Sequence, residues 1–169
     1  MTRRVLLVGL VIITALVLQS TLFAQLRLLG VRPELLYVVT IVFALLEGPN
    51  EGAVVGFVSG MMQDFLLHEP KGITALTLTL VGYAVGTGRR LIVSPSPLVP
   101  TMVVALGTAT GLAFYEITAF LLGSFDESPA YGVKVALLTA LYNAMLTPIV
   151  YPLLRRVSEG SRPRRVVRF

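Results

Sequence analysis

The sequence predicts an all-α integral membrane protein, a compact bundle of about six transmembrane helices with both termini in the cytoplasm. Of its 169 residues, 55% are hydrophobic and only 14% are charged, whereas a soluble domain has about 25% charged residues. The mean hydropathy is +0.82. The apolar residues form long runs, and arginines cluster between these runs, as in a multi-pass membrane protein.

Six apolar segments are candidate spans, because a spanning helix needs about 20 mostly apolar residues, with roughly 17 to 25 tolerated. They cover residues 5–26, 34–46, 51–67, 72–88, 98–123 and 131–154. The second segment is short, so a four-span version in which it and a partner segment are re-entrant stays open. The first segment is long and has no small-residue cleavage site, so we expect an uncleaved first span and not a signal peptide.

Proline and glycine separate the segments. Breaks are predicted at residues 48–50, at Pro70 and Gly72, and at residues 94–97 and 124–129, because proline and glycine interrupt helices. All the loops are therefore short, and no sizeable soluble domain is expected.

The distribution of Lys and Arg predicts the orientation, since cytoplasmic loops are enriched in positive charge. With the N-terminus inside, the outer segments hold four basic residues, Arg27, Arg32, Lys71 and Lys134. The cytoplasmic segments hold ten, Arg3, Arg4, Arg89, Arg90, Arg155, Arg156, Arg162, Arg164, Arg165 and Arg168. We therefore expect a transmembrane domain over residues 1–154 and a basic cytoplasmic tail over residues 155–169 that can contact anionic lipid headgroups.

The composition argues against several functions. The chain has no cysteine and one histidine, which excludes thiolate chemistry, disulfides and multi-histidine metal sites. No phosphate-binding loop or nucleophile accompanies its carboxylates, so we expect neither an enzyme nor a cofactor. The basic residues follow the topology of the spans, so no nucleic-acid partner is expected.

Glycines recur at four-residue spacing in three segments, a pattern that lets helix backbones approach closely. The pattern comprises Gly52, Gly56 and Gly60, then Gly82 and Gly86, and then Gly107 and Gly111. In the third segment Asp64 continues the same helical stripe. The stripe predicts a protein-facing surface, either inside the bundle or against a partner helix.

Three polar residues within the spans are candidates for a buried site. Inserting an ionisable group into the membrane within a span costs about 2.5 to 3.5 kcal/mol. We therefore expect a structural or functional role for Asp64, near the predicted outer end, and for the deeper Glu116. Asn143 forms a polar seam with Thr139 and Thr147 at i−4 and i+4. These groups either converge in an outer solute pocket or pair separately with neighbouring helices.

The region from 32 to 86 carries three motifs in order. They are Pro-Glu-Leu-Leu at 33–36, a glycine-rich helix from Gly56 through Gly60 to Asp64, and Lys-Gly at 71–72 followed by Ala-Leu at 75–76. Together with the length and the six-span pattern, they resemble the rod shape-determining protein MreD family. The chain departs from the family pattern at Gln63, which places a second polar group beside Asp64.

The resemblance implies a non-enzymatic component of the bacterial cell-elongation machinery, which lies in the cytoplasmic membrane as a multi-pass protein. Proteins of this family associate with the single-span protein MreC, and through it link MreB filaments to the transpeptidase and the RodA-type glycosyltransferase that build peptidoglycan. On this interpretation Asp64 and the glycine stripe hold the bundle or a partner helix, self-association is possible, and the basic tail faces the filaments.

The competing class is transport. The family is similar in fold to the substrate-binding subunits of energy-coupling-factor vitamin transporters, and an outer pocket around Asp64, Glu116 and Asn143 would then bind the solute. Those subunits usually carry alanines at four-residue spacing in the first helix, whereas residues 5–26 contain only Ala15 and Ala24.

Overall fold

The computed structural model describes residues 2–25, 30–66, 72–91, 98–123 and 129–161. Over these ranges the protein is all-α, as predicted. Its helices are α1 (Thr2–Gln25), α2 (Leu35–Glu47), α3 (Pro49–Leu66), α4 (Ile73–Gly88), α5 (Leu98–Leu121) and α6 (Pro129–Ser161), with a short 3-10 turn at Arg89–Leu91 after α4.

The helix ends lie within three residues of the predicted segment ends, with one exception. We expected the sixth segment to end at 154, but α6 continues to Ser161. No proline occurs there before Pro163, and Arg155 and Glu159 form an i,i+4 ion pair with an N–O distance of 2.7 Å, which supports a helix weakly. The first part of the predicted tail is thus helical, and residues 162–169 lie outside the described ranges.

The predicted break at residues 48–50 is narrower in the structure. Only Gly48 separates α2 from α3, with φ of 109°, a value that glycine adopts without strain. Pro49 begins α3, because a proline at the first helical position loses no helical hydrogen bond and already has a helical φ.

Helices α1, α5 and α6 contain segments long and apolar enough to cross a membrane, Arg4–Phe23, Leu98–Leu121 and Ala130–Gly160. Helices α2 and α4 are apolar but shorter. At 13 residues, α2 is about 20 Å long, less than the roughly 30 Å of a bilayer's hydrocarbon core.

The short helix α2 is the centre of the bundle. Its first ten residues, from Leu35 to Ala44, are all buried, and it packs against each of the other five helices named above. A helix that is apolar on every side belongs in such a core. Because protein surrounds it, α2 does not have to match the thickness of the lipid, which explains the short second segment.

The outer helices present apolar side chains outward. On α6 one exposed stripe recurs every four residues, Val133, Leu137, Leu141, Met145, Ile149 and Leu153. Similar exposed residues, including Leu10 and Leu106, lie on α1 and α5. Such faces suit contact with lipid tails, and the predicted membrane bundle is confirmed in its class.

Candidate functional site

The glycine stripe of α3 lies directly on α4. A Cβ built on Gly52 would stand 2.6 Å from the carbonyl oxygen of Gly82. One on Gly56 would overlap the backbone of Leu78, and one on Gly60 the backbone of Ala75. The two helix backbones therefore touch along the stripe, which only glycine allows at this separation.

The glycines of α4 complete the same contact from the other side. A side chain at Gly82 would meet the backbone of Gly52, and one at Gly86 would meet the backbone of Pro49. The predicted stripe residues of the third and fourth segments thus face one another within the bundle.

The glycines of α5 have a different role, although their spacing is the same. A Cβ on Gly107 would lie 2.8 Å from Ile41 Cδ1, and one on Gly111 would lie 2.6 Å from Tyr37 Cε1. Here glycine makes room for large side chains of α2 and not for a neighbouring backbone.

The carboxylate of Asp64 caps the start of α4. Asp64 is 1% exposed, and its Oδ2 accepts hydrogen bonds from the backbone N–H groups of Gly72 at 2.8 Å and Ala75 at 3.2 Å. The first N–H groups of a helix have no partner inside the helix, and the helix dipole favours a negative charge at this end. Asp64 therefore holds the end of α3 to the start of α4.

The amide of Asn143 plays a similar part at the start of α2. The Glu34 N–H donates to Asn143 Oδ1 at 3.1 Å, and Asn143 Nδ2 donates to the Glu34 carbonyl and to Thr108 Oγ1, each at 3.1 Å. Thr139, one turn earlier on α6, donates to the Arg32 carbonyl at 3.4 Å. The polar seam of α6 thus binds the backbone segment that leads into the central helix.

Gln19 makes a further cap that the sequence reasoning missed. It lies on α1, is 1% exposed, and accepts from the Leu36 N–H at 3.2 Å. A glutamine within a largely apolar segment was the available signal, because an amide in a span needs a hydrogen-bonding partner.

A cavity of about 420 Å³ opens at the same end of the bundle, between the segment before α2, the end of α3, the start of α4, the end of α5 and the start of α6. Glu116 lines it, but Asp64 and Asn143 do not. We expected a buried Glu116, whereas it is only partly buried, and its carboxylate lies against Gly132 of α6. The three predicted polar residues are therefore near one end but do not form one pocket.

Charged side chains join the helices at the opposite end. Arg4 of α1 pairs with Glu47 of α2 at 3.4 Å and with Glu51 of α3 at 3.3 Å. The hydroxyl of Ser158 on α6 donates to the carboxylate of Glu47. In the sequence Arg4 is only a topology signal, because its partners Glu47 and Glu51 are distant in the chain.

The described residues contain no group of three or more His, Cys, Asp or Glu that could hold a metal ion. The contacts described above hold the helices together in three ways: by backbone contact at glycines, by side chains that cap helix starts, and by ion pairs.

A sequence model of the rod shape-determining protein MreD family matches residues 2–157. The chain belongs to the MreD family. This confirms the resemblance first seen in residues 32–86, and the match covers α1 to α5 and α6 as far as residue 157. No curated protein matches the chain significantly, and no solved structure does so either.

Membership in the MreD family points to a role in rod shape determination and to a membrane protein. The family is known as a structural component of shape determination and not as an enzyme family.

Proposed function

We propose that the protein is a non-enzymatic membrane scaffold of the bacterial cell-elongation machinery, inserted in the inner membrane as a multi-pass protein with both termini in the cytoplasm. It binds an MreC-like bitopic membrane protein and so links MreB filaments to the RodA-type glycosyltransferase and the transpeptidase. The family match over residues 2–157 carries this proposal.

The construction of the bundle supports a scaffold. Asp64 and Asn143 are committed to hydrogen bonds between its own segments, so these polar groups contribute to rigidity. The outward faces of α1, α5 and α6 are apolar. A partner helix in the bilayer would therefore bind to these faces by lateral packing.

The glycine stripe belongs, in this proposal, to the scaffold's internal structure. Gly52, Gly56 and Gly60 already contact α4 and α2, which leaves no room for a partner helix on that face. Their effect on partner binding is then indirect, through the shape of the bundle.

Co-purification tests the partner directly. The protein, extracted in mild detergent from rod-shaped bacteria, should bring an MreC-like protein and cell-wall synthases with it. A photo-crosslinking amino acid is placed in turn at Leu10, Phe57, Leu106 and Met145, which are all exposed and lie on four different helices. The position on the face that contacts the MreC-like protein should form a covalent adduct with it. The same reagent at buried Leu78 is the control. Absence of the partner from the purified complex and from all four positions would contradict the scaffold.

A rescue experiment tests the packing role. Gly56→Leu should fail to restore rod shape in cells depleted of their own copy, because the new side chain would collide with the backbone of Leu78. Gly9→Leu is the matched control, since nothing lies within 4 Å of a Cβ at Gly9, and it should restore rods. Normal rods with Gly56→Leu would remove the packing argument.

The presence of a cavity supports one alternative function, that of a solute-binding subunit of an energy-coupling-factor transporter. Of the three residues expected in its pocket, only Glu116 lines the cavity. Co-purification of an ABC-type ATPase pair or of a stoichiometric bound vitamin would favour this alternative over the scaffold.

A further inference from the structure

Two pairs of helices on the outside of the bundle reach different levels at the cavity end. Asn143 of α6 hydrogen-bonds to Glu34, at the start of α2, and to Thr108 of α5, so these three residues share one level along the bundle axis. Beyond that level α5 continues to Leu121, and α6 extends back to Pro129, each about 20 Å farther. The α5–α6 pair therefore reaches about 20 Å past the start of the central helix.

The α3–α4 pair stops much sooner. A Cβ on Gly52 would lie 2.6 Å from the Cβ of Ala44, so α3 runs back along α2 from that point. It passes the start of α2 and ends at Leu66, only about 6 Å farther. A Cβ on Gly60 would overlap the backbone of Ala75, near the start of α4, so α4 begins close to the same level. Both helices therefore end about 15 Å short of the α5–α6 pair.

The exposed apolar faces differ in length in the same way. On α6 the face runs from Val133 to Leu153, about 30 Å, which is the hydrocarbon thickness of a typical bilayer. On α3 it runs only from Val54 to Leu66, about 18 Å, and the exposed apolar residues of α4 span less. The α3–α4 side is therefore about 10 Å too short for a bilayer that fits α6.

The two sides are level at the other end of the bundle. Ser158 of α6 donates to Glu47, and Arg4 pairs with both Glu47 and Glu51 of α3, so α6 and α3 meet the same charged network. The whole difference in length therefore falls at the cavity end. There the ends of α3 and α4 form a step beside the longer α5 and α6.

The walls above this step differ from the faces that suit lipid tails. Glu116, Tyr131 and Thr139 line the cavity that lies in the step. On other faces of α5 and α6, Ile117 and Val133 are 60% and 59% exposed. Ionisable side chains at membrane depth face protein or a water-filled cavity, so the step suits water and lipid headgroups and not acyl chains.

We infer that the protein thins the bilayer on its α3–α4 side, where phospholipids with short acyl chains match its apolar surface and their headgroups reach the step. A bilayer accommodates a short apolar surface by thinning locally, at an energetic cost. Short-chain lipids lower that cost and should collect on this side. A partner helix long enough to span the bilayer would not relieve the mismatch, because its apolar length would extend past α3 beside the polar step. The inference concerns the chain alone and does not depend on the scaffold partners proposed above.

Site-directed spin labelling tests the thinning, because the chain has no cysteine and single cysteines can be introduced. Leu66→Cys on α3 and Leu137→Cys on α6 make a matched pair, since the two leucines are 60% and 61% exposed. By the levels above, Leu137 lies about 3 Å farther out than Leu66. Its label should nevertheless be the deeper one, about 6 Å inside the hydrocarbon boundary at Val133, whereas the Leu66 label should lie among headgroups.

The depths are measured by power-saturation electron paramagnetic resonance in vesicles of dioleoyl phosphatidylcholine, from collisions with oxygen and with a water-soluble nickel chelate. Phe57→Cys and Met145→Cys are the controls, because both residues are exposed near the middle of their helices' apolar faces. Both control labels should report hydrocarbon. Equal depths at Leu66 and Leu137 would overturn the inference. A Phe57 label shielded from oxygen would also overturn it, because a second copy of the chain would then cover this face.

Lipid sorting gives a second test that needs no substitution. The chain is reconstituted in equal amounts of dimyristoleoyl and dierucoyl phosphatidylcholine, extracted, and examined by native mass spectrometry. The shorter lipid should be retained about twofold or more over the longer one, because it matches the α3–α4 side. Equal retention, or preference for the longer lipid, would contradict the thinning even if a cysteine variant failed to fold.

Discussion

At the end of the bundle where α2 meets α3, Glu47 accepts a hydrogen bond from Ser158 and pairs with Arg4. These contacts, together with the pair between Arg4 and Glu51, join α1, α2, α3 and α6 at that end. At the opposite end, Gln63 and Thr74 line a cavity, and Gln63 Oε1 and Thr74 Oγ1 are buried with no hydrogen-bond partner among the described residues. Polar side chains thus join the helices at one end and line a cavity at the other.

The contrast also separates two kinds of polar group at the open end. Asp64 and Asn143 bond to backbone N–H groups at the starts of α4 and α2, and they hold the rim together. Gln63 and Thr74 only line the space inside that rim. Stability should therefore depend more on the capping residues than on the lining residues.

The largest effect should come from Asp64. Asp64→Leu removes both hydrogen bonds to the start of α4 and should lower the free energy of unfolding by about 3 kcal/mol, since bonds to charged groups contribute about 1.5 to 3 kcal/mol each. Reversible unfolding in mixed detergent measures this change. Asp64→Asn keeps an acceptor and should cost about 1 kcal/mol. If the leucine variant were as stable as the parent, the cap would have no energetic role.

Asn143 should come next. Asn143→Leu removes three hydrogen bonds that join α6 to Glu34 and Thr108, at about 0.6 kcal/mol each in a membrane bundle, for a loss of about 2 kcal/mol. The matched control is Thr147→Val, because the hydroxyl of Thr147 donates to the Asn143 carbonyl within α6 and, among the described residues, bonds to no other helix. Equal losses in the two variants would show that the bond between segments adds nothing.

At the closed end the effect should be smaller. Glu47→Gln weakens the pair with Arg4 and should lower the free energy of unfolding by about 1 kcal/mol, because the Arg4 side chain is 32% exposed and water screens the pair. Glu51→Gln, at a more exposed carboxylate on the same arginine, should cost less than about 0.5 kcal/mol. The same unfolding assay compares them, and a reversed order would mean that Glu47 is not the centre of this network.

The smallest effect on stability should come from the cavity lining. Gln63→Leu should leave the Tm unchanged or raise it, because it removes a buried amide oxygen that has no partner among the described residues, and with it a desolvation cost. Thermal unfolding followed by circular dichroism is suitable, since the chain has no tryptophan. A large drop in Tm would mean that Gln63 is a structural residue like Asp64, and the distinction between rim and lining would fail.

Hydropathy and the placement of proline and glycine predicted the helices well, because both are local properties. The segment 72–88 differs from α4 by one residue at one end. The α6 end was missed because the prediction followed the end of the apolar stretch, whereas the charged residues after it continue the helix to Ser161. For the short second segment, length alone cannot distinguish a weak span from the fully buried centre of a bundle.

The site was less predictable, because its contacts join residues distant in the chain. Asp64 stands eight residues before the Gly72 that it caps, so that contact was within reach of the sequence. The bond between Asn143 and Glu34 spans 109 positions, and no local pattern shows it. The equal spacing of glycines in α3 and α5 also concealed two roles, since spacing gives the face of a helix but not what packs there.

The single residue Gly48 between α2 and α3 has a consequence for biogenesis. Helix α2 is about 20 Å long, and only Gly48 lies between its end and the start of α3. The translocon would therefore receive α2 and α3 as one continuous unit and not as two separate spans. We expect α2 and α3 to enter the bilayer together as a helical hairpin, with its turn at Gly48. Helix α2, the centre of the bundle, would then insert into the membrane together with α3.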